Sequence, residues 1–297
     1  MRRIRQHRDY YLLLLPGLLF LAIFRYSPMY GIVIAFQDYN VFQGISGSEW
    51  VGLDQFRRLV ASEEFIQVLT NTLLISIYKI IILFPIPIIL ALLLNEVRLK
   101  RFKSVVQTVI YLPHFLSWVI IAGLFVTILS PMGGLVNEII SFFGGQPVSF
   151  LTDNQFFRSV VVFTAGWKES GWNAIIFIAA IAGIDQEQYD AAKIDGAGRL
   201  QTMLHITLPG IASTIVLMFI LRIGNILEAG TEQILTLYNP VVYATGDVIG
   251  TYVYRIGLGQ MDYSFSTAVG LFNSLVGFLL ILFGNAACRK WLKRSIW

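Results

Sequence analysis

Residues 183–209 read GIDQEQYDAAKIDGAGRLQTMLHITLP, the one polar, helix-forming island in the second half of a very hydrophobic chain. Asp185, Gln186 and Glu187 are helix-starting residues, and Tyr189, Ala192 and Ile194 recur among charges at roughly helical spacing until Asp195-Gly196 forces a break. A second short helix is expected from Arg199 to Ile206, ending at Pro209. The result is a helix, a glycine turn and a helix between two apolar spans. The unit is too polar to cross a bilayer and too well patterned for a slack linker. Two readings stand: a surface that docks on another protein, or an ordinary cytoplasmic loop that helps the chain fold.

Composition narrows the class. Of the 297 residues 56% are hydrophobic and 13% charged, against about 25% charged in ordinary soluble domains, and the mean hydropathy is +0.68. This is the profile of an integral membrane protein. The net charge of +4 invites a nucleic-acid partner, but the basic residues sit beside apolar spans rather than on a stripe, so topology explains them and no nucleic acid is expected. The single cysteine, Cys288, cannot form an internal disulfide and reads as a small apolar residue. His7, His114 and His205 are scattered over different segments, so no metal site is expected.

A span needs about 20 apolar residues to cross a core of about 30 Å at about 1.5 Å per residue. Six runs qualify: Tyr11–Phe36, Thr70–Leu94, Val106–Leu129, Ser159–Ile181, Ile211–Leu227 and Thr267–Ala287. The first continues through Tyr30 to Phe36 without a small-residue cleavage site, which argues against a cleavable signal peptide. With the N-terminus inside, the inner segments hold Arg2, Arg3, Arg5, Arg8, Arg98, Lys100, Arg101, Lys103, Lys193, Arg199, Arg289, Lys290, Lys293 and Arg294. The outer segments hold Arg57, Arg58, Arg158 and Arg255. This bias places both ends in the cytoplasm and exposes the 183–209 island to it.

The outer connections and the intramembrane polar groups carry the remaining signal. Gln37–Leu69 is rich in Gly, Ser, Asp and Glu, and Leu135–Phe143 reads as a short amphipathic helix between glycine pairs. Glu228–Ser264 is a long connection with an apolar run, Val248–Ile256, that either shapes the mouth of a pathway or packs peripherally. Charges within spans are costly and draw functional suspicion: Arg25, Lys79, Lys168, Arg222 and the acid Glu169. Each has a plain alternative, such as Lys79 satisfying backbone carbonyls or Arg25 snorkelling outward. Trp167 and Trp172 flank Lys168 and Asn173, a ring face beside a donor that suits a sugar, although Trp is also enriched at membrane interfaces. The candidate substrate path is Lys79, Trp167, Lys168, Trp172, Asn173, Arg222 and Asn225. Pro85 and Pro87 would loosen the second span, and Gly270, Asn273, Ser274 and Gly277 suit close helix packing in the sixth.

The island resembles the EAA loop of ABC-importer membrane subunits, with Asp190-Ala191-Ala192, then Gly196-Ala197, then Ile206-Thr207-Leu208-Pro209 at the family's spacing. Asp190 stands where the family usually has glutamate, one methylene longer. The remainder is similar to LplB-type carbohydrate-importer permeases, within the group that includes the maltose and glycerol-phosphate permeases. The resemblance is carried by FRYSPMYG at 24–31, YLPHF at 111–115, Trp167-Lys168 with Gly171-Trp172, and TYVYR at 251–255. It implies an all-α fold of six transmembrane helices, a MetI-like type I core over about 70–287 with a cytoplasmic coupling helix. Residues 1–69 would supply the N-terminus, a first span wrapping a partner permease and an external segment, and 288–297 a cytoplasmic tail. The expected partners are a second related permease, two ATPase subunits and an extracytoplasmic solute-binding protein, in a bacterial inner or plasma membrane. The implied cargo is oligosaccharide released from polysaccharide, including acidic fragments such as those of alginate or pectin.

Mechanistic expectations follow. No G-x-x-x-x-G-K-[ST] loop occurs, so ATP and Mg belong to the partner subunits and this chain is neither an enzyme nor a cofactor binder. The coupling residues would be Asp190, Ala191, Ala192, Asp195, Gly196, Ala197, Leu208 and Pro209. Gly196 permits the turn, Asp190 offers a charged hydrogen bond, and the alanines allow close approach. The alternatives are an ATP-independent secondary transporter, a membrane-embedded enzyme and a channel. The first lacks intramembrane carboxylates other than Glu169, the second lacks a catalytic cluster, and the third leaves the island unexplained.

Overall fold

The computed structural model of the chain describes residues 8–292. The orienting charges Arg2, Arg3, Arg5, Lys293 and Arg294, together with His7 and the end of the 288–297 tail, lie outside the described residues, as do the side chains of Arg8 and Cys288. Helix α1 (Arg8–Leu21) runs through a π turn (Ala22–Tyr26) into a 3-10 stretch (Ser27–Phe36). Strands β1 (Gln37–Asp38) and β2 (Glu49–Trp50) form an antiparallel pair with Gln37 opposite Trp50. Then follow α2 (Asp54–Ala61), α3 (Glu63–Tyr78), a π turn (Lys79–Leu83) and α4 (Pro85–Glu96). Next come α5 (Lys100–Tyr111), a 3-10 turn (Leu112–Phe115), α6 (Trp118–Ile128), α7 (Leu135–Phe142) and the long α8 (Phe157–Ala182). The island supplies α9 (Gln186–Ile194) and α10 (Arg199–Thr202), and α11 (Ala212–Gly224), α12 (Thr231–Leu237), α13 (Ile249–Tyr254) and α14 (Tyr263–Leu292) complete the chain.

Two compact units emerge, one of residues 8–63 and 253–273, the other of 64–252 and 274–292. In the first, Phe36 stacks on Trp50 at 5.7 Å and tilts against Phe56, while Arg58 pairs with Asp262 at 2.7 Å and lies over the Phe265 ring. The apolar α1 is uncovered there: every residue from Tyr10 to Tyr30 is exposed. An uncovered apolar helix of this length needs lipid or another subunit.

In the second unit α8 is the axis. It buries Val161, Ala165, Ala174, Phe177 and Ile181 against α4, α6 and α11. Gly171 is the point of closest approach to α5, since a Cβ there would overlap the backbone carbonyl of Ile110. Gly277 similarly lets α14 meet the Gly224 carbonyl of α11, whereas a Cβ on Gly270 would meet open space, so close packing does not account for that glycine.

The spans depart from straight rods. By length and composition Tyr10–Phe36, Glu63–Glu96 and Tyr263–Ala287 can each cross a bilayer, and two bent pairs add a span each when counted as one. Helix α8, at 26 residues, is long enough to cross but carries Arg158, Lys168 and Glu169. The expected continuous run Val106–Leu129 is broken by 102° between Phe115 and Trp118. Pro113 cannot donate in the helix ladder, and Ser117 restarts it as an N-cap, accepting from the Ile120 amide at 3.3 Å. The break expected at Pro209 falls one residue later: the helical run that starts at Arg199 ends at Gly210, and the chain bends by 58° at Ile211.

The connection read as an outer loop from Glu228 is folded through Tyr252. Ile234, Leu237, Val242 and Val248 join Ile75, Ala122, Phe157 and Val161 in one core cluster. Polar groups lock it: Asn71 donates to the carbonyls of Ala244 and Asp247, Arg158 donates to Asn71 and to the Thr245 carbonyl, and the Ile249 amide donates to Thr72. Buried backbone needs such partners, and here they come from α3 and α8.

Candidate functional site

Helix α9 starts where its chemistry says it should. The Asp185 carboxylate accepts from the Glu187 amide at 3.0 Å, an N-cap. At the other end Gly196 adopts φ +76°, its amide donating to Lys193 O at 3.1 Å while the Ala197 amide donates to Ala192 O at 2.9 Å. This paired pattern is a Schellman closure, which requires the left-handed residue that glycine supplies. Asp190 is exposed and accepts from Lys193 at 3.0 Å and Gln186 at 3.4 Å. The Lys193 hydrogen bond, then that of Gln186, holds its carboxyl below the usual aspartate range.

The island is mounted firmly on the apolar body. Tyr189 Oη shares a hydrogen bond of 3.1 Å with Thr207 Oγ1, and Ile184, Met203 and Leu208 pack on the cluster of Ala91, Leu92, Phe177 and Ile211. Its opposite side is bare: Ile194 is 86% exposed, and Leu200 and Leu204 are also exposed. Asp190, Ala191, Asp195, Gly196 and Pro209 are exposed with them, while Ala192, Ala197 and Leu208 are half-buried. Apolar side chains held outward on a rigid polar loop form a surface suited to another protein.

Two buried lysines meet backbone freed where helices break. Lys168 donates to the carbonyls of His114, at 2.9 Å, and Leu116, at the 102° break, and lies over the Trp118 ring. Trp172 braces the same turn, stacked on His114 at 4.3 Å and edge-on to Phe115. Lys79 donates to Ala229 O at 2.8 Å and Gln233 Oε1 at 2.6 Å, in the turn where α11 gives way to α12. An ammonium at membrane depth is tolerated when carbonyls accept its hydrogen bonds.

The other sequence candidates face open space. A groove of about 750 Å³ is lined by Tyr78 and Ile82 of the second span and by Arg158, Phe163 and Trp167 of α8. A smaller cavity of about 170 Å³ is lined by Glu169, Asn173, Arg222 and Asn225, with Pro87 and Met218. Leu83 and Ser170 line both, so the two adjoin along one stripe of α8. Trp167, Asn173, Arg222 and Asn225 are thus brought to cavity walls, whereas Lys79, Lys168 and Trp172 line neither cavity. Tyr78 and Gln233 were not among the sequence candidates; Glu169 drew suspicion as a lone acid inside an apolar run but was left out of the candidate path. Among the described residues, no group of three or more His, Cys, Asp or Glu could hold a metal ion.

Comparison with known proteins finds relatives and solved structures that match over nearly the whole chain. The chain is 48% identical over 295 residues, 99% of its length and 92% of the relative's, to the polygalacturonan/rhamnogalacturonan transport system permease protein YteP of Bacillus subtilis. Protein LplB of the same organism is 46% identical over 290 residues, covering 98% of this chain and 91% of LplB. The crystal structure of a bacterial alginate ABC transporter in complex with alginate pentasaccharide-bound periplasmic protein contains a chain 42% identical, with a TM-score of 0.91 and 99% of both chains covered. Residues 84–294 match the family described as binding-protein-dependent transport system inner membrane component, so the chain belongs to that family and has its MetI-like permease fold.

Proposed function

We propose that this chain is one permease half of an ATP-driven importer of oligosaccharides, acidic polysaccharide fragments among them. The observation that carries the reading is the α9 loop, capped, closed at Gly196 and anchored through Leu208, with Ile194 held outward. Two ATP-binding subunits dock on this loop and its counterpart in a second, related permease, and an extracytoplasmic binding protein delivers the sugar. ATP-driven approach of the two loops moves the helices on which each is mounted, shifting access from one side to the other. Asp190, Ala191, Ala192, Asp195, Gly196 and Ala197 form the docking element, and Leu208 and Pro209 lead into the bend that transmits it.

The cargo reading is supported by the relatives, one named for polygalacturonan and rhamnogalacturonan and one crystallised with alginate pentasaccharide bound to its periplasmic protein. Within this chain, Trp167 offers a ring face, and Asn173, Arg222 and Asn225 offer donors along the joined cavities. Lys79, Lys168 and Trp172 serve the path by shaping its walls. The transporting core spans 70–287, with both termini cytoplasmic in a bacterial inner or plasma membrane.

The test is ATPase activity and uptake in proteoliposomes holding the complete importer, with binding protein loaded with acidic or neutral oligosaccharides. Stimulation by a loaded oligosaccharide is expected. Transport that proceeds without the ATPase subunits would instead establish a self-contained transporter.

A further inference from the structure

Lys79 is 5% exposed, yet it opens onto neither cavity. It occupies the π turn between α3 and α4, and its ammonium grips the Ala229 carbonyl and Gln233 Oε1. Gln233 is fully buried and passes the chain of bonds onward: its Nε2 donates to Val161 O and Thr164 Oγ1, both at 2.6 Å. One side chain therefore ties the second span, α8 and the entry to α12 together.

The gripped carbonyl lies at a strained place. Ala229 has φ +41° and Gly230 φ +90°, and a non-glycine residue keeps such a backbone only where its surroundings hold it. The turn runs directly from the end of α11, whose last turn carries Arg222, and begins at Asn225. Both of those residues line the smaller cavity. Glu169 on the cavity wall and Arg222 both act electrostatically on the ammonium. Lys168 holds the other break in the same manner, but no cavity-lining residue lies in the turn it holds.

We propose that Lys79 is a positioning residue for transport: held by Gln233, it fixes the turn after α11 and so sets how Arg222 and Asn225 face the cavity. The inference rests on the importer reading only for the process served, since the geometry it asserts is measurable without transport. The first readout is labelling of Asn225→Cys by a membrane-impermeant thiol reagent in the assembled importer, with Cys288→Ser removing this chain's one native thiol. Phe42→Cys, at a residue 99% exposed, reports reagent access.

Lys79→Met is expected to slow labelling at Asn225→Cys about tenfold with Phe42→Cys unchanged, and Lys79→Arg, which keeps donors, to restore most of the rate. In transport Lys79→Met raises the KM for sugar more than it lowers kcat. Where Lys79→Met reduces assembly, Gln233→Met removes the ammonium's side-chain acceptor and Thr164→Val breaks a far link of the chain, both with the ammonium retained, and a slowing of about threefold is expected. Unchanged labelling at Asn225→Cys, or equal slowing at both reporters, overturns the proposal. Labelling that behaves as expected, where the importer with Asn225 intact moves no saccharide, supports the positioning and refutes the cargo reading instead.

Discussion

Replacing Gly196 isolates the contribution of one backbone torsion to coupling. Its φ of +76° is left-handed, and a Cβ built there meets nothing within 4 Å, so the penalty of a substitution is conformational rather than steric. A residue with a Cβ pays about 1–2 kcal/mol in this region, which lowers the population of the closed turn roughly five- to thirty-fold. Asparagine, which tolerates the region, pays less. Proline holds φ near about −65° and removes the amide that donates to Lys193, so the closure is lost outright. The assay is ATP hydrolysed per sugar imported in proteoliposomes, with the amount of assembled complex measured alongside. Coupling should fall in the order Gly, Asn, Ala, Pro. A Pro variant with normal coupling, or an Ala variant coupled better than Asn, would refute the argument that this turn holds the docking surface in place.

Other outcomes follow from neighbouring geometry. Lys168→Met strands the carbonyls of His114 and Leu116, costing about 1–3 kcal/mol for each left unpaired; thermal unfolding of the purified importer should drop, and an unchanged midpoint would argue that water replaces the ammonium. Gly171→Ala drives a Cβ into the Ile110 carbonyl and should cost about 1–3 kcal/mol, whereas Gly270→Ala, facing open space, should leave the midpoint level or slightly higher. Lys193→Met should raise the Asp190 pKa seen by carboxyl NMR. Because the carboxyl is held low by Lys193 and Gln186, its bracing of α9 is present above the ordinary aspartate range and fades as pH falls through the depressed value. Tyr189→Phe removes the bond to Thr207 and should loosen the loop by about 0.5–1.5 kcal/mol, read as faster amide exchange in α9.

The 183–209 loop was legible because its signals are local. An aspartate cap, a glycine closure and a polar helix between apolar runs are decided within a few residues of one another. The 102° bend was not, since Trp118–Ile128 is as apolar as an uninterrupted span would be, and periodicity does not separate a broken run from a straight one; Pro113 and Ser117 were the clues. The polar residues in spans drew attention as costly, but whether each faces a cavity or a carbonyl depends on distant chain. Lys79 finds its acceptor 150 positions away and Lys168 finds His114 54 positions away. Gln233 went unnoticed because its segment read as an outer loop, while its 0% exposure follows from core contacts that only folding brings together.

The long reach of Lys79 also bears on how the protein is made. At a synthesis rate of about 5–20 residues per second, the 150 residues separating the lysine from its carbonyl acceptor take about 8 to 30 seconds to emerge. During that interval the second span must enter the membrane with an ammonium that has no final partner, an insertion penalty of about 2.5–3.5 kcal/mol at a helix centre. The high hydropathy of Glu63–Glu96 can carry that burden, so the nascent chain is held in the bilayer by its leucines and isoleucines until Ala229 and Gln233 arrive to accept the ammonium's hydrogen bonds.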